Sequence, residues 1–355
     1  MLPGGAYTSA EVLAWERRHL FDGSWVCLGR IESLDAGQTA VPVGATSVLV
    51  TRGADGTLAT FANICRHRGH ELLACGATSD RRVVQCPYHA WTYELDGRLR
   101  LAPHAGPDVM VDDLGLLPVR HHQWGGWLFV NVDSAAEPFE DHVGDLATLA
   151  APWGTSDLVV GATHHYELAA NWKVAIENYH ECYHCPLIHP ELCRVSPSTS
   201  SVNVAERRGA FIGGAMDLAD GAMTMSLSGE SPLTPLPGLD RERGRQVLYV
   251  QLFPNLLLSL HPDYVMTHRI TPVTPTTSAV ECQWLFAADA VARSDFDPGF
   301  AVDFWDLTNR QDWAAVESVQ RGLDSCRFVP GVFAASEDAV HHFTSMIAAA
   351  YQGTA

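Results

Sequence analysis

Positive charge, long apolar runs and export signals are all scarce in this 355-residue sequence, and each scarcity excludes a class of protein. Lys and Arg number 23 against 41 Asp and Glu, a formal net charge of −18. A nucleic-acid binder needs a basic footprint to neutralise phosphates, so that class is excluded. Charge this acidic bears on solubility and on docking a basic partner rather than on fold. No apolar run approaches the roughly twenty residues that a membrane span requires. The opening M-L-P-G-G-A-Y-T-S has no basic stretch followed by an apolar core, so no secretory signal is expected and the expected location is the cytoplasm. No G-x-G-x-x-G sits between a strand and a helix, so no flavin or nicotinamide site is expected.

Apolar residues make up 47% of the chain and charged residues only 18%, enough to bury a large core in two domains or one elaborated domain. Nine cysteines without an export signal read as reduced thiols and metal ligands rather than a disulfide framework. Thr8-Ser-Ala-Glu11 has the capping-box pattern and predicts an amphipathic docking helix to about Phe21. From Trp25 to Phe61 the pattern is short strands broken by Gly and Pro, including a hairpin over 47–51 and 58–62, and Val119 to Val132 closes the all-β half. Residues 138–154, rich in Asp, Ala and Pro, read as a linker, which places the domain boundary near 155 (1–155 and 156–355). Beyond it, strands are predicted over 163–168, 210–213, 222–227, 247–253, 256–260, 264–270 and 279–287. Strands in succession with short turns indicate an antiparallel sheet. The Gly-, Ser- and Pro-rich stretch 226–244 reads as a mobile loop. Asp297-Pro298 predicts the start of a helix to about Leu323, and a final helix spans 336–351. The fold class is α+β.

Two dense motifs carry the chemistry. The first is Cys65-Arg-His67-Arg-Gly-His70, answered by Cys86-Pro-Tyr-His89-Ala-Trp91, with eighteen residues between His67 and Cys86. Two thiolates and two imidazoles suit zinc, or a [2Fe–2S] cluster in which two histidines bind one iron. Zinc fingers usually group Cys with Cys and His with His, whereas each loop here is mixed, which suits the cluster. Cys75, with no partner at motif spacing, reads as a small buried residue. The second motif runs from Asn171 to His189, N-W-K-V-A-I-E-N-Y-H-E-C-Y-H-C-P-L-I-H. Asn178, Glu181 and His184 recur at i, i+3, i+6, as if on one side of a helix that Pro186 should end near Cys185. His189 would then reach the same point from a loop. On the C-terminal helix, Asp312 falls on the apolar stripe with Trp305, Thr308, Ala315, Val316, Val319 and Leu323. Asp306 can pair with Arg310 and Glu317 with Arg321. An unpaired buried carboxylate is prohibitive, so Asp312 is the candidate third ligand beside His184 and His189. Two histidines and one carboxylate with open positions form the facial triad of non-haem Fe(II) oxygenases. An isolated histidine is more often a satisfied core residue; the second metal motif in the same chain tips that balance.

The spacing of the two Cys/His loops resembles the Rieske iron–sulfur family. His70 and Tyr88 stand where the respiratory type has its extra cysteines, and C-x-H-R-G with C-P-Y-H-x-W is similar to the Rieske domain of aromatic-ring-hydroxylating oxygenases. E-N-Y-H-E-C-Y-H-x-x-x-x-H resembles the iron-binding segment of their α subunits, as does an Asp (Asp312) five residues before a Glu (Glu317). The resemblance implies an all-β Rieske domain followed by a catalytic domain whose antiparallel sheet packs on helices, a helix-grip or START-like fold. It implies that Cys65, His67, Cys86 and His89 hold a Rieske [2Fe–2S] cluster, that His184, His189 and Asp312 hold a mononuclear Fe(II), and that O₂ is the co-substrate. Glu181 matches the acid that links a cluster histidine of one subunit to an iron histidine of its neighbour, in a homotrimer. Asn178 stands one turn before Glu181, as a second-shell or polar packing residue. Cys182, Cys185 and Cys193 are expected to be buried non-ligands, and His180 a second-shell or packing residue.

With no nucleotide site in the chain, electrons must come from a separate reductase, and the resemblance implies an NAD(P)H-dependent flavin/iron–sulfur protein in that role. The segments 177–190, 252–269 and 306–313 look like the glycine-betaine and proline-betaine demethylase branch. That resemblance implies a terminal oxygenase hydroxylating a C–H bond of a small molecule, by oxidative N-demethylation of a betaine- or methylammonium-like compound. Tyr249, Tyr264, Trp284 and Phe286 are candidate rings for a quaternary ammonium cage. The alternatives are an aromatic-ring dihydroxylating dioxygenase or aromatic monooxygenase, and a non-catalytic Rieske electron carrier.

Overall fold

The computed structural model describes residues 1–106, 111–204 and 208–353. It divides into two compact units, one of Trp15–Glu137 and one of Met1–Ala14 with Pro138–Ala355. The division into compact units falls at residue 137, ahead of the boundary expected near 155, and the first fourteen residues join the second unit. Two observations explain the difference. Tyr7 is fully buried, and its hydroxyl donates to Glu177 at 2.7 Å, while Asn171 Nδ2 donates to the Tyr7 carbonyl at 3.2 Å. Residues 138–154 are no linker. They form helices Phe139–Val143 and Leu146–Ala150, bury Phe139, Leu146 and Trp153, and bond His142 Nε2 to the Phe253 carbonyl oxygen at 2.9 Å.

The N-terminal helix is broken. Ser9, not Thr8, caps the stretch Ala10–Glu16, its hydroxyl accepting from Glu11 and Val12 N–H groups, and Arg17–Phe21 continues in wider π turns. The rest of the first unit is antiparallel. Gln38–Val43, Thr46–Arg52 and Leu58–Ala62 form a meander with Thr78–Ser79 at its edge. Val26–Arg30 pairs with Trp127–Asn131, which pairs with Arg120–Trp124. Leu49, Phe61, Val84, Tyr93 and Leu116 pack beneath the two Cys/His loops.

In the second unit one seven-stranded antiparallel sheet dominates. Its order is Leu158–Leu168, Thr277–Ala287, Val265–Thr274, Leu256–Leu260, Gln246–Leu252, Phe211–Asp217 and Val202–Asn203. Strands 256–260 and 246–252 are apolar at most positions because both faces are covered, as their near-complete burial shows. Helices Trp172–Tyr179, Gly299–Leu323 and Asp338–Tyr351 pack on the sheet and on one another. Residues 222–227 are irregular, bent chain rather than a strand. The stretch 226–244 is pinned rather than mobile: Leu236 N–H donates to Pro262 O, and the Ser231 hydroxyl to Asp263. No described helix is long and apolar enough to cross a membrane.

Beneath the helix Trp172–Tyr179 lies a buried polar knot. Lys173, the chain's one lysine, is fully buried with its ammonium 5.4 Å from the Tyr7 ring and 5.1 Å from the Trp172 ring. Burial raises the Glu177 carboxyl from 4.5 to about 7, against the opposing pull of the Tyr7 hydrogen bond and Lys173. Between those two values the folded chain holds a proton that the unfolded chain has released. Stability therefore falls as pH rises through that window. Glu177→Gln should flatten the fall; urea midpoints at about pH 5 and about pH 7.5 measure it, and an unchanged slope would contradict the assignment.

Candidate metal centre

Asn171 starts the helix that leads to the site, its side chain accepting the Lys173 N–H at 3.0 Å. That helix ends at Tyr179, so Glu181 and His184 do not continue the helical face of Asn178. The cause is local. Glu181 bends back, its carboxylate accepting the N–H groups of Tyr183 and His184, which shapes a turn in place of another helical step. Pro186 does not end a helix here; it opens the short helix Cys185–Ile188, where its missing N–H costs nothing. His189 lies at the junction with the next helix, Pro190–Val195.

The helix Gly299–Leu323 brings Asp312 to this turn. Asp312 Oδ1 lies 3.3 Å from His184 Nε2 and 2.8 Å from His189 Nε2. The three ligand atoms lie within 4.8 Å of one another, the one such group found among the described residues. Each imidazole's other nitrogen is already engaged: His184 Nδ1 with Glu181 Oε1, and His189 Nδ1 with Gln311 Oε1 at 2.7 Å. Acceptors at Nδ1 fix the tautomer and leave Nε2 of both rings for a metal. Asn178 Nδ2 donates to Asp312 Oδ1 at 3.1 Å, holding the carboxylate.

The charges agree with a cation site. Burial works to lower the His184 pKa, but hydrogen bonds to Asp312 and Glu181 raise it to about 9. For His189 burial is likewise outweighed by Asp312, and Asp312 is held low by the two rings despite its own burial. The carboxylate thus draws protons onto both imidazoles, and a divalent ion would replace them. The donor set, two imidazoles and one carboxylate, fits non-haem iron.

The Cys/His loops of the other unit are twins. Cys65 N–H donates to His70 O and Cys86 N–H to Trp91 O, both at 2.8 Å. Gly69 and Ala90, each four residues after its cysteine, donate back to the cysteine carbonyl at 3.0 Å with left-handed φ of 73° and 59°. Both cysteines are buried, whereas His67 is exposed and His89 half-buried, with ring centroids 4.7 Å apart. The four side chains are not among the groups that converge on a single ion, which disfavours zinc. A cluster whose two irons take separate ligand pairs needs no such convergence. Tyr93 supports the pair, its hydroxyl 3.2 Å from Cys65 Sγ.

Other expected residues fall differently. Cys182 and Cys185 are joined in a disulfide, so these two are not reduced thiols; a separation of three residues within one turn brings their Cα atoms to 4.9 Å. Cys75 is exposed and Cys193 only half-buried. Glu317 accepts from the Ala169 N–H at 3.1 Å, and Val319 faces outward. His180 is buried with Nε2 on Gln251 Oε1 at 2.7 Å.

A cavity of about 100 Å³ opens beside the three ligands. Of the four candidate cage rings only Tyr249 lines it; Tyr264, Trp284 and Phe286 are fully buried in the core behind. The rings at the cavity are Tyr179, Tyr249, Trp305 and Trp313. Sequence reasoning missed Gln311 and Trp313, although both flank Asp312 directly.

Residues 24–120 match the Rieske [2Fe-2S] domain, and residues 155–353 match the ring hydroxylating alpha subunit catalytic domain. This chain belongs to the Rieske ring-hydroxylating oxygenase α-subunit family. Such an α subunit is an oxidoreductase component that uses a Rieske cluster, a mononuclear iron and O₂, and takes its electrons from a separate reductase. This α subunit is 31% identical to the glycine betaine monooxygenase oxygenase subunit of Chromohalobacter salexigens, over 94% of this chain and 81% of that one. It is 26% identical to the chloroplastic choline monooxygenase of Spinacia oleracea, over 96% and 76% respectively. A crystal structure of a quaternary ammonium Rieske monooxygenase in complex with an inhibitor superposes with a TM-score of 0.79 at 25% identity, covering 99% of this chain and 95% of that one.

Gln311→Leu should weaken Fe(II) retention about 10- to 100-fold by freeing the His189 ring, with the cluster absorbance unchanged. Anaerobic Fe(II) titration against a chelator measures this, and an unaltered affinity would show that the ring is fixed by other contacts.

Proposed function

We propose that this Rieske oxygenase α subunit is the terminal oxygenase of an O₂-dependent system that hydroxylates an N-methyl group of a small methylammonium compound. The carbinolamine so formed releases formaldehyde, which completes an oxidative N-demethylation. The observation that carries the reading is the placement of His184, His189 and Asp312 at a cavity walled by Tyr249, Trp305 and Trp313. Aromatic faces attract alkylammonium ions by cation–π interaction, and a cavity lined by them excludes water from the reacting methyl group. The relatives named for glycine betaine, carnitine and choline support the same substrate class.

Cys65, His67, Cys86 and His89 are assigned as cluster ligands, and His184, His189 and Asp312 as ligands of the iron, which supplies O₂ activation when bound. The chain's own residues then have distinct tasks. Gln311 and Glu181 orient the two imidazoles, and Asn178 holds the carboxylate. Glu181 provides the iron-histidine half of a bridge whose other half is a cluster histidine of a neighbouring subunit. The assembly assigned to this arrangement is a homotrimer. The reductase is assigned as an NAD(P)H-dependent flavin/iron–sulfur protein, and the system is placed in the cytoplasm.

Oxygen uptake with a surrogate reductase tests the reaction. Methylammonium compounds should give formaldehyde in proportion to O₂ consumed, while aromatic acids should stimulate neither. Diol formation from an aromatic substrate without formaldehyde would replace this reading with ring dihydroxylation. Electron transfer through the chain with no substrate-dependent O₂ uptake would reduce it to an electron carrier.

A further inference from the structure

His184 stands between two cysteines in Cys182-Tyr183-His184-Cys185, and the two are joined in a disulfide that closes the turn carrying the histidine. Cys185 Sγ lies 3.9 Å from His184 Nε2, the same nitrogen that meets Asp312 Oδ1 at 3.3 Å. Both cysteines also line the cavity beside the metal ligands. With a metal–nitrogen bond of about 2.0 Å and a metal–sulfur bond of about 2.3 Å, two such ligands on one tetrahedral ion stand roughly 3.5 Å apart. The sulfur is therefore within reach of an ion held by His184. Tied in a disulfide it has no thiolate to offer, and the thiolate is the form that binds metals.

The two sulfurs differ in exposure. Cys182 is half-buried and precedes the exposed Tyr183, whereas Cys185 is buried. Attack by a thiolate from solvent therefore falls on Cys182 and expels the sulfur of Cys185. A dithiol reductant completes the step: its two thiols close into a disulfide, and Cys182 and Cys185 become thiols. A metal ion then displaces the proton of Cys185. In a reducing compartment a disulfide is more often transient and redox-sensing than structural. Beside His184 such a change has a metal site to act on.

We infer that the Cys182–Cys185 pair is a redox gate on the metal site, whose reduction adds the Cys185 thiolate as a fourth ligand beside His184, His189 and Asp312. Two imidazoles, a carboxylate and a thiolate make a closed set that suits tetrahedral zinc. Two imidazoles and a carboxylate alone leave the open positions that suit iron and O₂. The disulfide thus keeps the site open, and its reduction turns the site toward zinc. The inference rests on the assignment of His184, His189 and Asp312 as ligands and is independent of the substrate.

Zinc X-ray absorption tests it on the full chain with the cluster assembled, because the zinc edge does not register the cluster's iron. Zinc is added in equimolar amount, with the single-iron site emptied, to the disulfide form and to protein reduced by a dithiol that has then been removed. The disulfide form should show nitrogen and oxygen only. Reduction should bring one sulfur into the zinc shell at about 2.3 Å and tighten zinc binding about tenfold or more. Cys182→Ser should show that sulfur without reductant, and Cys185→Ser should never show it. A shell of nitrogen and oxygen alone in the reduced protein or in Cys182→Ser would overturn the inference and leave the ligand assignment standing. So would a sulfur present in the disulfide form or in Cys185→Ser. Zinc binding that is absent from the parent, or that Asp312→Ala leaves unaltered, would overturn both the inference and the assignment beneath it.

Discussion

One carboxylate oxygen, Asp312 Oδ1, meets two imidazoles from a segment more than a hundred residues away in sequence, and the catalytic unit is arranged around that meeting. A buried carboxylate must be compensated, and here the compensation comes from the two imidazoles it meets. Its partners come from short irregular segments rather than from one regular element. The long helix Gly299–Leu323 holds the acid rigidly, whereas the histidines sit on a turn and at a junction between two short helices. That division of labour fixes the carboxylate and lets two short turns aim the rings.

The surrounding structure serves the same constraint. The antiparallel sheet supplies a wide apolar floor, on which the helix Trp172–Tyr179 is held by the buried Tyr7, Lys173 and Glu177 knot. Acceptors behind each imidazole set which nitrogen faces inward. Aromatic rings then close the space in front of the ligands, with their polar tips engaged or buried in the wall. In the other unit the problem is solved differently. Two loops of the same backbone pattern each present one Cys and one His, so that two irons can be held without four ligands crowding one point.

Much of this was legible in the sequence because metal chemistry restricts residue type and spacing so strongly. The paired Cys/His loops, the 184/189 histidines and Asp312 are recognisable by type, and the apolar stripe around Asp312 marked it as an acid in need of a partner. Strand 256–260 and the helix ending at Leu323 were also readable, from continuous apolar character and from period 3.6. What escaped was set partly by local side-chain-to-backbone bonds and partly by tertiary contacts. The helical spacing of Asn178, Glu181 and His184 was overridden by a carboxylate bonding its own downstream amides. Residues 138–154 resembled a linker because their few apolar side chains are widely spaced, yet Phe139, Leu146 and Trp153 are all buried. Aromatic residues give no sequence signal that separates cavity wall from core, so three of four cage candidates proved to be core. The Cys182–Cys185 bond escaped because the reading of the cysteines as reduced thiols rests on compartment, which says nothing about proximity.

The central claim is that one chain holds two separate metal centres, a cluster on Cys65, His67, Cys86 and His89 and a single iron on His184, His189 and Asp312. Iron quantification combined with the cluster's electron paramagnetic resonance spectrum, on the parent protein and Asp312→Ala, tests it most directly. The account predicts about three irons per chain in the parent and about two in the variant, with an unchanged spectrum from the reduced cluster. An Asp312→Ala protein that keeps all its iron, or loses the cluster signal along with the single iron, would contradict it.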